Sequence, residues 1–187
     1  MMRIPMQEMK IFRKGMFDDY IRGLENIAGK KVDIPFESYF ENGGREKDRL
    51  NIPYYFIDKN NNSNIGFALI ALVDKNIPAN PYNVDMFLWQ FYIDSGQRRQ
   101  GLGTECARLL LSRHPGLIQL NFYDENTRAE KLWNKVVREY AIPQNGHKRF
   151  ILKDSGTTYY QFTVQRGING IANDKCTSAV EIDDKLR

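Results

Sequence analysis

Apolar residues recur at helical spacing in some stretches of the chain and alternate or run together in others, and this rhythm predicts an order of elements. Met16, Tyr20, Ile21, Leu24 and Ile27 share one helical face, so Arg13 to Ala28 reads as an amphipathic helix ending near Gly29. From Lys30 to Asn51 the rhythm breaks around Pro35, Gly43, Gly44 and the charged run Arg45 to Arg49, which predicts a loop holding a short helix. Pro53 to Asp58 and Asn64 to Asp74 are rich in aromatic and aliphatic residues, and the polar turn Lys59 to Ser63 joins them as a hairpin whose second strand is buried on both faces. The proline-rich connection Asn76 to Pro81 then leads into a strand, Met86 to Ile93. Leu102, Cys106, Leu109 and Leu110 mark a helix over Leu102 to Arg113, stopped by His114-Pro115-Gly116. Leu117 to Tyr123 alternates as a strand, and a further helix, capped by Asp124 or Asn126, runs through Tyr140 with Ala129, Leu132, Trp133, Val136 and Val137 apolar. Lys148 to Leu152 and Thr157 to Val164 read as a last pair of strands.

Past Val164 the residues turn to Gly, Asn, Asp, Lys and Ser, so residues 166–187 are expected to form a mobile tail behind a single domain over residues 1–165. A chain of 187 residues with 42% hydrophobic content can close one core without a metal or disulfide staple. This order predicts an α/β (α+β) fold with a sheet of mixed strand direction.

Charge and cysteine usage narrow the partners. The net charge of +4 suits an anionic ligand, but Lys and Arg are scattered, so a nucleic-acid partner is not expected. Cys106 and Cys176 lack C-x-x-C spacing, and His114 and His147, without acidic neighbours, read as surface residues, so no metal site is expected. Met1 to Phe12 has no continuous apolar core and Ile65 to Val73 is too short to span a bilayer. The expected setting is the cytoplasm.

The stretch Gln97-Arg98-Arg99-Gln100-Gly101-Leu102-Gly103-Thr104, between a strand and a helix, has the makings of a phosphate cradle. Two glycines let backbone N–H groups turn toward a ligand at a helix start, where the dipole favours an anion. A dinucleotide fingerprint would need a third small residue where Cys106 stands, and a Walker A loop would need Lys-Ser/Thr after its last glycine.

With these elements in order, the chain resembles the GNAT superfamily of acetyl-CoA-dependent N-acetyltransferases. Arg98-Arg99-Gln100-Gly101-Leu102-Gly103 matches the R/Q-x-x-G-x-G/A signature after a strand, and Asn126, Ala129 and Trp133 match N-x-x-A-x-x-x-aromatic on the following helix. Pro115-Gly116, Asn126, Ala129 and Leu132-Trp133 also resemble a bacterial branch of predicted acetyltransferases with Trp at the usual Tyr position. The resemblance implies a GNAT-like mixed, splayed central sheet with helices on both faces, acetyl-CoA as cosubstrate, and a small-molecule or peptide amine acceptor.

It also implies roles for residues. Backbone N–H groups from Arg99, Gln100, Gly101, Leu102, Gly103 and Thr104 would bind the pyrophosphate, with Arg98 or Arg99 supplying countercharge. Main-chain groups of Phe91, Tyr92 and Ile93 would pair with the pantetheine arm, and Asn126 and Trp133 would line its end, although Asn126 also reads as a helix cap and Trp133 as core. The sequence departs from the family in its catalytic groups. Trp89 and Gln90 stand where a glutamate base is usual, leaving Asp85 as the nearest carboxylate, and Trp133 stands where a tyrosine acid is usual, leaving Tyr92 or Tyr123. The expectation is direct acetyl transfer to a primary amine in a ternary complex, by a monomer or homodimer, with Cys106 packed against the sheet; the alternative is a coenzyme A-binding module that has lost catalysis. The acceptor would be recognised by Lys30 to Asn51 and Asn76 to Asp85, whose aromatic and acidic residues suit a cationic amine.

Overall fold

The computed structural model describes residues 6–34, 49–58, 62–73, 84–140, 147–152, 156–165 and 176–181. Helix α1 spans Met6–Ala28, strands β1 and β2 span Arg49–Asp58 and Asn64–Val73, and β3 spans Met86–Ile93. Helix α2 (Leu102–Arg113), β4 (Gly116–Tyr123) and α3 (Thr127–Tyr140) follow, then β5 (His147–Leu152), β6 (Thr157–Val164) and β7 (Cys176–Glu181). Helix α1 starts before the expected Arg13 because the preceding Met, Gln, Glu and Lys are good helix formers with no breaker among them. Strand β1 likewise starts before the expected Pro53. That proline stands opposite Leu69 of β2.

The strands form one sheet in the order β5-β6-β4-β3-β2-β1-β7. The β3–β4 pair is parallel and every other pair is antiparallel, which gives the mixed α/β sheet expected. Within residues 166–187, expected as a tail, Cys176–Glu181 forms strand β7 along β1. Its residues lack the apolar alternation that marks a strand locally, and what defines it is the free edge of β1, a partner far away in sequence.

Helices cover both faces. On one, Met16 and Phe17 of α1 pack on Tyr55, Phe67, Leu69 and Tyr92. On the other, Leu102, Cys106 and Leu110 of α2 and Trp133, Val136 and Val137 of α3 pack on Ile70, Met86, Leu88, Ile118 and Leu120. Strand β2 is buried from Ile65 through Ala71 because it is covered on both sides, and Cys106 is buried against the sheet as expected.

His114 differs from the surface residue expected. At the end of α2 its Nε2 lies 2.8 Å from Tyr54 Oη, and burial, reinforced by the charge of Arg113, pulls its pKa from 6.5 down to about 4. The unfolded chain therefore takes up this proton near pH 6.5 and the folded chain only near pH 4. The stabilisation is complete above pH 6.5 and is lost as pH falls toward 4, by about 1–2 kcal/mol after allowance for the ring's partial exposure. Urea midpoints taken at pH 7 and pH 4.5 should reveal the loss, and His114→Gln should flatten that part of the profile.

Candidate functional site

Strands β3 and β4 are paired only over Met86–Leu88 against Ile118–Leu120, and beyond Leu88 and Leu120 they part. A bulge coincides with the parting: Ile70 of β2 faces Leu88 while Leu69 faces Gln90, leaving Trp89 as the extra residue. The bulge reverses the alternation of β3. Met86 and Leu88 join the α2–α3 core before it, Phe91 and Ile93 pack against that core after it, and Tyr92 and Trp89 belong to the α1 side.

A cavity of about 200 Å³ fills the gap between the parted strands and reaches both faces of the sheet. Its α1 side is formed by Tyr20, Leu24, Ile34, Trp89 and Gln90, and its α3 side by Phe91, Phe122, Asn126, Ala129 and Trp133. Tyr123 lines it from β4, next to Thr157 of β6. None of the described lining residues is a carboxylate, an imidazole or a cation.

The polar groups of this cavity are set by their neighbours. Tyr20 Oη donates to Gln90 Oε1, and burial raises the Tyr20 pKa, helped by nearby Tyr123. Asn126 caps α3, its Oδ1 accepting from Ala129 N at 3.1 Å while its backbone carbonyl accepts from Glu130 N at 3.0 Å. It also lines the cavity. Trp133 is 3% exposed, and its ring meets Phe91 edge-on at 5.2 Å, making it core and cavity wall at once. The indole Nε1 of Trp89 is buried without a hydrogen-bond partner among the described residues, while Phe87 at 4.5 Å and the Arg49 guanidinium at 5.5 Å fix its ring.

At the far end of β3 the chain turns through Ser95–Gln97 into the glycine loop. Arg99 at φ +65° and Gly101 at φ +84° both take left-handed backbone. Gly101 is the N-cap of α2, and Thr104 and Glu105 return their N–H groups to its carbonyl at 3.0 and 3.3 Å. Among the described residues nothing accepts from the N–H groups of Arg99, Gln100, Gly101, Leu102 or Gly103. Donors so placed at a helix start can receive an anion. The arginines divide their work. Arg98 folds back, donating Nε to Ile93 O at 2.8 Å and lying 5.2 Å over the Tyr92 ring, whereas Arg99 is exposed and has no described partner.

Two sequence-expected catalytic residues lie elsewhere. Asp85 stands at the opposite end of β3 from the glycine loop, where its Oδ2 accepts from Leu117 N at 2.6 Å. Gly116 makes this close approach possible, since a Cβ there would meet the carboxylate at 2.6 Å. Asp85 thus ties the start of β3 to β4 and is not among the residues that line the cavity. Tyr92 is also outside the cavity lining: it packs with Phe67 and Tyr20 under α1, and burial raises its pKa. Of the sequence candidates, the cavity gathers Phe91, Tyr123, Asn126 and Trp133. Tyr20 was legible only as a core position on α1, and nothing local marks the bulge that turns Trp89 toward the α1 side.

No helix among the described residues is long and apolar enough to cross a membrane, and no group of His, Cys, Asp or Glu among them could hold a metal ion. The expected acceptor loops, Lys30 to Asn51 and Asn76 to Asp85, lie largely outside the described residues. Compared with models of known families, residues 18–137 match the one described as the acetyltransferase (GNAT) family. No curated protein matches the chain.

Proposed function

This chain, matched over most of its length, belongs to the GNAT acetyltransferase family, and from that premise we propose that it transfers the acetyl group of acetyl-CoA directly to a primary amine in a ternary complex. Three observations support the proposal: N–H groups at the start of α2 without a described acceptor, a β3 edge with no described ladder partner toward β4 beyond Leu88, and a cavity where the two strands part. Acetyl-CoA would supply an activated acetyl thioester.

The residues present fit that group. Arg99 and the N–H groups from Arg99 to Gly103 suit a pyrophosphate, with Arg98 tying the loop to the end of β3. The β3 edge at Phe91, Tyr92 and Ile93 has no ladder partner on its β4 side among the described residues, as an amide-bearing arm requires. A main-chain N–H on this edge is the group to polarise the thioester carbonyl. Asn126 and Trp133 line the cavity, which supports reading Trp133 as a wall of the acetyl site. Tyr123, which lines the cavity, is the preferred acid over Tyr92, which does not.

In balanced form, the amine nitrogen bonds to the carbonyl carbon, the carbon–sulfur bond breaks, and the amine's proton ends on sulfur or in solvent. Tyr123→Phe should lower kcat about tenfold, at the weak end of acid catalysis because a thiolate leaves readily, with little change in acetyl-CoA affinity. Tyr92→Phe keeps the ring beneath Arg98 but loses the hydroxyl's bond to the Ser95 backbone, and should instead weaken acetyl-CoA binding by loosening the loop. Steady-state rates and calorimetric Kd values for both variants check this split.

The neutral cavity lining and the diversion of Asp85 favour a second reading, a coenzyme A-binding module without catalysis. Thiol release measured over a panel of amines separates the two. Saturable acetyl-CoA binding with no N-acetylated product selects the module, and absence of binding sinks both.

A further inference from the structure

Where β3 and β4 part, each strand keeps an edge that faces the gap, and the hydrogen bonds at its ends show which main-chain groups turn into it. On β4, Leu117 turns both its groups toward β3: its N–H meets Asp85 Oδ2 at 2.6 Å and its carbonyl accepts from Asp85 N at 2.7 Å. Just past the strand, Asp124 N donates the other way, to Gly156 O beside β6, at 3.0 Å. Alternate residues of a strand turn their main-chain groups to one side, and β4 pairs with β6 without a register shift. Asn121 and Tyr123 therefore turn theirs into the gap, beyond Leu88–Leu120, the last pair with β3. The Tyr123 carbonyl is taken by Asn126 N at 2.8 Å. The Asn121 carbonyl and the Tyr123 N–H are left without a partner among the described residues, and both residues line the cavity.

Across the gap, Asp94 N donates to Ile65 O of β2, so Ile93 and Phe91 turn their groups toward the gap. That edge adjoins the glycine loop through Arg98 on Ile93 O and is the one given above to the coenzyme arm. The β4 edge is thus left for the second substrate. A carbonyl and an N–H that flank one residue, here Phe122, are met in a parallel pairing by the N–H and C=O of a single extended residue. We propose that the β4 edge at Asn121 and Tyr123 is the docking edge for the acceptor and that the acceptor is a peptide N-terminus, its α-amine donating to the Asn121 carbonyl and its first carbonyl accepting from the Tyr123 N–H. This rests on the acetyltransfer reading above.

The two groups of the edge select the ligand. An N–H kept from water without an acceptor costs about 1–3 kcal/mol, which a peptide carbonyl recovers and a polyamine, carrying donors alone, does not. An amine that gives one N–H to the Asn121 carbonyl keeps its lone pair for the thioester on the β3 side. A cavity of about 200 Å³ has room for one residue, since one of roughly 150 Å³ holds a benzene ring.

The test follows amide hydrogen exchange by NMR in the isotope-labelled protein, first with coenzyme A and then with L-alanyl-L-alanine amide added. Coenzyme A alone should slow exchange at Phe91 and leave Tyr123 as it was. The dipeptide should then slow Tyr123 about tenfold, the change expected of one hydrogen bond, and leave Phe122, whose N–H turns to β6, unchanged. Slowing of Tyr123 by coenzyme A alone gives this edge to the coenzyme and overturns the proposal. So does failure of the dipeptide to bind the coenzyme-loaded protein, or dipeptide binding that leaves Tyr123 exchange as fast as before. If the dipeptide slows Tyr123 but no thiol is released from acetyl-CoA, the acetyltransfer reading fails while this docking edge stands.

Discussion

Gly101→Val raises the Kd for acetyl-CoA about 100-fold, the value expected when a β-branched residue is forced to leave left-handed backbone at a cost of up to about 3 kcal/mol. The position is open, with nothing within 4 Å of a Cβ built there, so the penalty comes from φ +84° and not from a clash. Relaxation of that angle would turn the N–H groups of Leu102 and Gly103 away from a common point. Gly103 behaves differently. It has no positive φ, and an added Cβ would meet Ile93 Cγ1 at 3.5 Å and Leu132 at 3.9 Å, which is ordinary packing. Gly103→Ala should therefore change Kd by less than about threefold. Calorimetry on the two variants checks both values, and Gly101→Val binding as tightly as the unaltered protein would remove the cradle from the argument.

Asp85→Ala lowers the thermal midpoint by about 4–8 °C, the shift expected for a charge-assisted hydrogen bond worth about 2 kcal/mol in a chain of this size. The loss has a specific source: Leu117 N, 2.6 Å from the carboxylate and partly buried, is left without its acceptor where β3 and β4 still pair. Asp85→Asn keeps an acceptor and should recover most of the stability. The pH dependence of kcat/KM should be the same in both variants as in the unaltered protein. Should Asp85→Asn instead keep its midpoint and lose turnover, Asp85 would be a base after all.

The shape of the glycine loop was legible because it is local. Left-handed backbone is signalled by glycine, a helix start by the apolar period after it, and both fall within Gln97 to Thr104. Even here the sequence treats Arg98 and Arg99 alike, and only the return of β3 beneath the loop, with Ile93 O as acceptor and the Tyr92 ring as a seat, assigns Arg98 to holding the loop. The catalytic candidates were less legible. Asp85 was proposed for being the nearest carboxylate to β3, but nearness along a strand is not nearness in space. At roughly 3.3 Å per residue the strand carries Asp85 about 20 Å from Phe91.

The sequence by itself determined the helices, most strand boundaries, the glycine loop at the start of α2 and the likeness to the GNAT family, because periodicity, turn chemistry and glycine spacing act between residues close in the chain. Tertiary structure decided what depends on distant partners. The register of β2 against β3 makes Trp89 a bulge and turns its indole to the α1 side, while the short β3–β4 pairing opens the cavity. The unpaired edge of β1 gives residues 176–181 a strand to join. In each case the free energy lies in hydrogen bonds and burial between segments far apart in sequence, and no local pattern encodes which segments those are.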